Sequence, residues 1–150
     1  MEIISYFESS NPSVWLKQLA NLEWPPSRHL SQMIGEGEFY HRLGQTSQLF
    51  LLVEDQYLIG HCTLSEQDNI SDLSRQPWIG YVYVHPDYRG QKLFMHLLAY
   101  AESWARQKSY NQVYISSSHQ GLYEQYDYQV IDQCLDNKGR PTQVFCKSLD

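Results

Sequence analysis

Residues 81–94 read Y-V-Y-V-H-P-D-Y-R-G-Q-K-L-F, and the fold follows from how this stretch divides. Tyr81-Val82-Tyr83-Val84 alternates aromatic and β-branched side chains, which suit a pleated, half-buried surface, so it reads as the end of a strand. Pro86 stops that strand. It cannot donate a ladder hydrogen bond, and it biases His85 toward extended geometry. Beyond Arg89-Gly90, apolar residues recur at Leu93, Phe94, Leu97, Leu98, Ala101 and Ala105, the spacing of a helix with one buried face that runs to residue 108. A strand, a short basic glycine-bearing loop and a long helix aim the first unpaired N–H groups of the helix at one spot. Such a spot favours phosphate or another anion.

Working outward, residues 49–53 are an unbroken apolar run, as expected of a strand covered on both faces. Asp55-Gln56 makes a two-residue turn, and residues 57–64 return as its hairpin partner. Residues 66–76 are polar without an apolar period and read as a surface loop. Residues 78–84 form the central strand. Residues 113–115 give the next one, and a strand–helix–strand crossover of this length requires parallel pairing. Ser116-Ser117-Ser118 is placed to cap a short helix containing Leu122, Tyr123 and Tyr126. Residues 128–135 and 143–147 close the chain as strands around a turn at 136–141. Toward the N-terminus, residues 3–7 suggest a strand. Pro12 opens a helix with Trp15, Leu16, Leu19 and Leu22 on its buried stripe. Trp24-Pro25-Pro26 is expected to break that helix, with Ser27 capping a second through Leu30, Met33 and Ile34, and residues 35–44 as broken helix. The expected class is α/β (α+β), a mixed, mostly antiparallel sheet of six to seven strands flanked by helices, with one parallel pair.

At 150 residues the chain suits a single domain, 1–150. A net charge of −6 disfavours sequence-independent nucleic-acid binding and leaves room for a cationic small substrate. No apolar run reaches the roughly 20 residues of a membrane span, and the first residues lack the form of a signal peptide, so a cytoplasmic protein is expected. Cys62, Cys134 and Cys146 are an odd set without C-x-x-C spacing, which points to free thiols and not to a disulfide framework or a metal site.

Three local patterns then coincide. Val84-His85-Pro86-Asp87-Tyr88-Arg89-Gly90 resembles V-x-P-x-x-R-G, an amphipathic helix follows, and Leu122-Tyr123-Glu124-Gln125-Tyr126-Asp127-Tyr128 resembles L-Y-E-K-x-G-F. Together they resemble the GNAT superfamily of acyl-CoA-dependent N-acyltransferases over residues 45–148. The resemblance implies acetyl-CoA as cosubstrate, no metal, and a primary amine of a small molecule or peptide as acceptor, handled by a monomer or homodimer. It places the pantetheine arm along Val82, Tyr83 and Val84, and the pyrophosphate at Arg89, Gly90, Gln91, Lys92, Leu93 and Phe94. The family loop is usually R-x-x-G-x-G/A. Lys92 and Phe94 stand at its two small positions, and Lys92 is sterically acceptable there if its φ stays negative.

Acetyl transfer from a thioester to an amine needs a neutral amine, stabilisation of the oxyanion and a proton for the departing thiolate. The family's tyrosine matches Tyr123, a phenol protonated at neutral pH. For the base, the central strand offers no carboxylate. His119 is expected one helical turn before Tyr123 and on the same face, and its imidazole suits proton acceptance. His61, His85, Glu54 and Glu66 are lesser candidates. Trp24, Phe39, Tyr40 and Trp78 are candidates for the acceptor wall. The alternative is a non-catalytic binding or sensory domain of the same fold, for which Lys92, Phe94 and the missing strand carboxylate speak.

Overall fold

A computed structural model describes residues 1–72 and 74–150. The elements run β1 (Glu2–Ser5), α1 (Pro12–Ala20), α2 (Pro25–Gly35), α3 (Phe39–Leu43), β2 (Gln48–Glu54), β3 (Tyr57–Ser65), β4 (Trp78–Val84), α4 (Leu93–Gln107), β5 (Gln112–Ser117), β6 (Gln129–Leu135) and β7 (Pro141–Ser148). The strands form a seven-stranded sheet in the order β1-β2-β3-β4-β5-β7-β6. Among the described residues only β4 and β5 pair in parallel.

The unbroken apolar run of β2 serves two cores. Phe50 and Leu52 face α4 with Leu97, Leu98 and Ala101. Leu49, Leu51 and Val53 face the N-terminal helices with Leu19, Leu30 and Met33. Alternate side chains of a strand point to opposite faces, so a sheet covered on both sides demands this composition.

Four local expectations are corrected. The first strand stops at Ser5, and Tyr6–Glu8 forms a 3-10 turn. Pro25 and Pro26 do not break a helix but open α2, because a proline in the first turn lacks only an N–H that has no partner there. Ser27 is therefore inside α2, fully buried, and not its cap. Finally, Ser116 and Ser117 belong to β5, and between β5 and β6 the helical turn is the 3-10 segment Tyr123–Tyr126. Gly121 at φ +82° interrupts any helix that would reach back to His119.

Two irregularities of β4 shape its surroundings. In the β3–β4 ladder His61 faces Tyr83 and Thr63 faces Gly80, so Tyr81 and Val82 together oppose Cys62. This is a β-bulge, with Tyr81 at φ +50°. On its other edge β4 meets β5 only at Trp78↔Tyr114. Past that point the two strands diverge.

Candidate functional site

The divergence opens a cavity of about 940 Å³, walled by residues 79–82 of β4, 115–117 of β5 and Ser118 and His119 just beyond it, with α2, α3, residues 67–69 and the β6–β7 hairpin around it. In an open sheet, ligands bind beyond strand ends at such a gap.

Tyr123 stands in the wall, 6% exposed. Its ring is set by Phe145 at 5.4 Å, Phe94 at 5.8 Å and Tyr128 at 6.1 Å between centroids. Burial pushes its phenol up to about 12, and the negative charge of Asp68 acts in the same direction. The hydroxyl is protonated at any ordinary pH, and it makes no hydrogen bond among the described residues.

The opposite wall is fastened by His61, which is fully buried. Its Nδ1 lies 2.7 Å from the Tyr81 carbonyl oxygen and its Nε2 lies 2.7 Å from Ser27 Oγ. A carbonyl only accepts, so Nδ1 carries the proton and the Ser27 hydroxyl donates to Nε2. Burial holds the imidazole down to about 4. His61 is thus a neutral brace that ties α2 to the β4 bulge, and both its nitrogens are engaged.

Of the expected 66–76 surface loop, residue 73 lies outside the described residues, and residues 66–69 are not simply surface. The N–H groups of Glu66 and Gln67 donate to the Leu43 carbonyl at the end of α3, and Asn137 N donates to the Asn69 carbonyl at 2.7 Å. Pinned to α3 on one side and to the β6–β7 hairpin on the other, the loop turns Asp68 toward β4. The Asp68 carboxyl packs over Gly80, where any Cβ would collide with it. Burial pushes that carboxyl up to about 6, against the pull of the Asn69 N–H. Burial, and after it the negative charge of Asp68, push the Tyr81 phenol up to about 12 against the opposing charge of Arg42. Beside Gly80, Thr63 Oγ1 is buried without a hydrogen-bond partner.

Where β4 ends, the chain turns through Pro86–Tyr88 and Arg89 Nε donates to the Val84 carbonyl at 3.0 Å. Among the described residues, the backbone N–H groups of 90–95 have no protein acceptor until His96 N meets the Lys92 carbonyl at 3.2 Å. Gly90 sits at φ +84° with open space at its Cβ position. Six consecutive free donors at the start of a fifteen-residue helix fit a polyanionic pyrophosphate. Lys92, the N-cap of α4, is at φ +63°. The condition for an unstrained Lys92, a negative φ, is therefore not met: this is a left-handed position, the reason glycine is favoured there. Phe94 turns from the loop onto Tyr123 and Tyr126.

The remaining expectations sort by position. Val82 lines the cavity, whereas Tyr83 stacks on Trp24 at 5.2 Å on the side of the N-terminal helices. His119 lines the cavity as an exposed loop residue, so its reading as a same-face helical partner of Tyr123 does not hold. His85 Nδ1 accepts from Asp87 N, and Glu66 accepts from Thr46 N and Oγ1 at 2.7 and 2.6 Å. Neither lines the cavity, nor does Glu54. Of the four aromatics, only Trp24 does; Phe39 and Trp78 are buried in separate cores, and Tyr40 packs on Phe7. Asp68, Tyr81 and Arg42 are the wall residues that the sequence did not reveal. The three cysteines are free, and among the described residues no three His, Cys, Asp or Glu side chains gather as a metal site. No helix among those residues is long and apolar enough to cross a membrane.

Known proteins share this fold. The family model described as acetyltransferase (GNAT) family matches residues 16–128. No curated protein matches the chain by sequence. Among solved structures, an aminoglycoside 6'-acetyltransferase type Ii superposes with a TM-score of 0.72 at 18% identity, covering 100% of this chain and 98% of that one. An aminoglycoside 6'-N-acetyltransferase complexed with coenzyme A gives 0.70 at 17%, covering 100% and 98%. A GNAT family acetyltransferase from Elizabethkingia anophelis with acetyl-CoA bound gives 0.65 at 14%, covering 98% and 97%.

Proposed function

Because the chain belongs to the GNAT acetyltransferase family, we propose that it moves an acetyl group from acetyl-CoA to a primary amine of a small molecule or peptide. The observation that carries this reading is the gap between β4 and β5, with the protonated Tyr123 in its wall and the free N–H groups of 90–95 beyond the end of β4. Acetyl-CoA supplies the thioester as cosubstrate. The donors of 90–95 with Arg89 and Lys92 hold its phosphates, and Val82, Tyr83 and Val84 border the pantetheine arm. Tyr123 keeps a proton on its hydroxyl for the departing sulfur, in a site where burial opposes its loss. A backbone N–H of β4 at the gap serves the oxyanion.

The acceptor enters from the side of α2, α3 and the β6–β7 hairpin. Small-molecule amines are the first to try, since two of the similar structures are acetyltransferases of aminoglycosides. The wall itself sets Arg42, Lys138 and Arg140 against Asp68, a balance that disfavours a polycation. His119 is exposed at the same wall and relays protons between the cavity and solvent. Calorimetric titration with acetyl-CoA, followed by a thiol-release assay over an amine panel, tests the reading. Saturable binding and amine-dependent thiol release are expected; absence of binding at millimolar acetyl-CoA would refute it.

A further inference from the structure

We propose that Asp68 is the group that receives the acceptor's ammonium and takes its proton. The inference rests on the transferase reading and adds to it a residue and a ligand chemistry.

Three observations converge on one point of the wall. The Asp68 carboxyl is delivered by a loop that is hydrogen-bonded at both flanks, to Leu43 and to Asn137, so its placement is built and not incidental. It lies directly over Gly80, the one β4 position without a side chain, and alanine there would displace it. Next to it Thr63 Oγ1 is fully buried with no partner. An unpaired buried hydroxyl is costly, and beneath the cavity wall it marks the Gly80 position as a polar spot that the described residues do not themselves satisfy. The Asp68 carboxylate, which does line the cavity, suits an ammonium, which brings three donors and a charge.

No other base at the cavity is as well placed. Both nitrogens of His61 are engaged, and His29, stacked on Tyr81, and His119 are both exposed. Tyr123 and Tyr81 both sense the charge of Asp68, which puts the carboxyl near the proton donor as well as within the wall. A carboxyl at about 6 is ionised at neutral pH yet more basic than an ordinary aspartate. The groups that face it are the Tyr81 phenol on β4, the Tyr123 phenol on the 3-10 turn and the Asn69 N–H of its own loop. Farther around the wall stand Arg42 on α3, His29 on α2, His119, and Lys138 and Arg140 on the hairpin.

The protons balance. Asp68 takes one proton from the ammonium, which leaves a neutral amine whose lone pair forms the C–N bond to the acetyl carbonyl as the C–S bond breaks. The sulfur leaves with the bond pair and takes a proton from Tyr123. The nitrogen, still bearing one proton too many, returns one to the phenolate, and Asp68 releases its own to solvent.

Asp68→Asn tests this. Turnover of a primary amine is expected to fall at least 100-fold, with acetyl-CoA affinity within twofold of wild type and no loss of melting temperature. In wild type, kcat/KM falls as pH drops through about 6, and the variant loses this acid limb. Asp68→Glu is expected to recover part of the rate. Turnover of Asp68→Asn within threefold of wild type, or an unchanged acid limb, overturns the assignment. A second arm needs no turnover: wild type is titrated with 2-phenylethylamine and with 2-phenylethanol, in the presence of coenzyme A. Preference for the amine that vanishes in Asp68→Asn supports the ammonium site; no preference in wild type overturns it. A wild type that prefers the amine but acetylates none of a broad panel would instead count against the transferase reading.

Discussion

The two ends of the cleft are built by opposite means. At the acetyl end, side chains are specified one by one. His61 braces the bulge, Gly80 admits Asp68, and three rings set Tyr123. At the phosphate end, residues 90–95 offer backbone N–H groups on an exposed loop and the first turn of α4, and side-chain identity matters less than φ and ψ. A backbone cradle tolerates substitution as long as the path is kept, which is how Lys92 occupies a left-handed position that favours glycine. On the proposed reading, the contrast makes the departure at Lys92 a conformational cost, paid at a φ of +63°.

The largest expected effect separates the ends by chemistry. Tyr123→Phe should lower kcat by about 10²–10³-fold while leaving the acetyl-CoA dissociation constant within twofold, measured by single-turnover kinetics and calorimetry. A parallel loss of cofactor affinity would break the division of labour.

Next comes the brace. His61→Phe leaves the Ser27 hydroxyl and Tyr81 carbonyl buried without partners, and should cost about 3 kcal/mol in denaturant unfolding. The same group sets a pH signature. Its folded pKa of about 4 lies below the ordinary 6.5, so the unfolded chain takes up the proton first. Its stabilisation is complete above 6.5 and is lost as pH falls toward 4, by about 3 kcal/mol, and His61→Phe should lose this part of the slope.

Asp68→Asn should act in the reverse sense. The folded carboxyl sits at about 6, above its ordinary 3.8, so ionising it at higher pH opposes folding. Replacing it should stabilise the protein by about 1–2 kcal/mol at pH 7–8 after allowance for solvent at the cavity wall, and not at pH 4. A residue that weakens the fold while lining the site follows the usual exchange between stability and activity.

The smallest effect tests the cradle. Lys92→Gly should raise stability by about 1 kcal/mol through relief of the left-handed φ, with acetyl-CoA affinity changed less than threefold. A tenfold loss of affinity would show that the lysine ammonium, and not the backbone alone, holds the phosphates.

Much of the fold was legible in the residues because it is periodic or local. The β2–β3 hairpin, the central strand and α4 announce themselves by alternation and by 3.6-residue spacing, and Tyr123 by its place in L-Y-E. Asp68 was not legible, since a polar loop has no period and nothing in S-E-Q-D-N tells which side chain turns inward. That depends on the Leu43 and Asn137 contacts, 25 and 69 residues away in the chain. Ser27 misled for a related reason. A serine after two prolines looks like a cap, and only the sheet packed beneath α2 shows that its hydroxyl serves His61.

The bulge in β4 has a further consequence, one of parity. Ile79, Val82 and Val84 pack with the α4 core, whereas Gly80, Tyr81 and Tyr83 face the acceptor side. Two successive residues on one face are possible only because one position is extra, and the inserted position lets Gly80 stay opposite Thr63 while Tyr83 stays opposite His61 on β3. Deleting Tyr81 would leave the strand able to pair but would reverse the facing of one half relative to the other. The odd residue is thus what allows one strand to obey two incompatible registers.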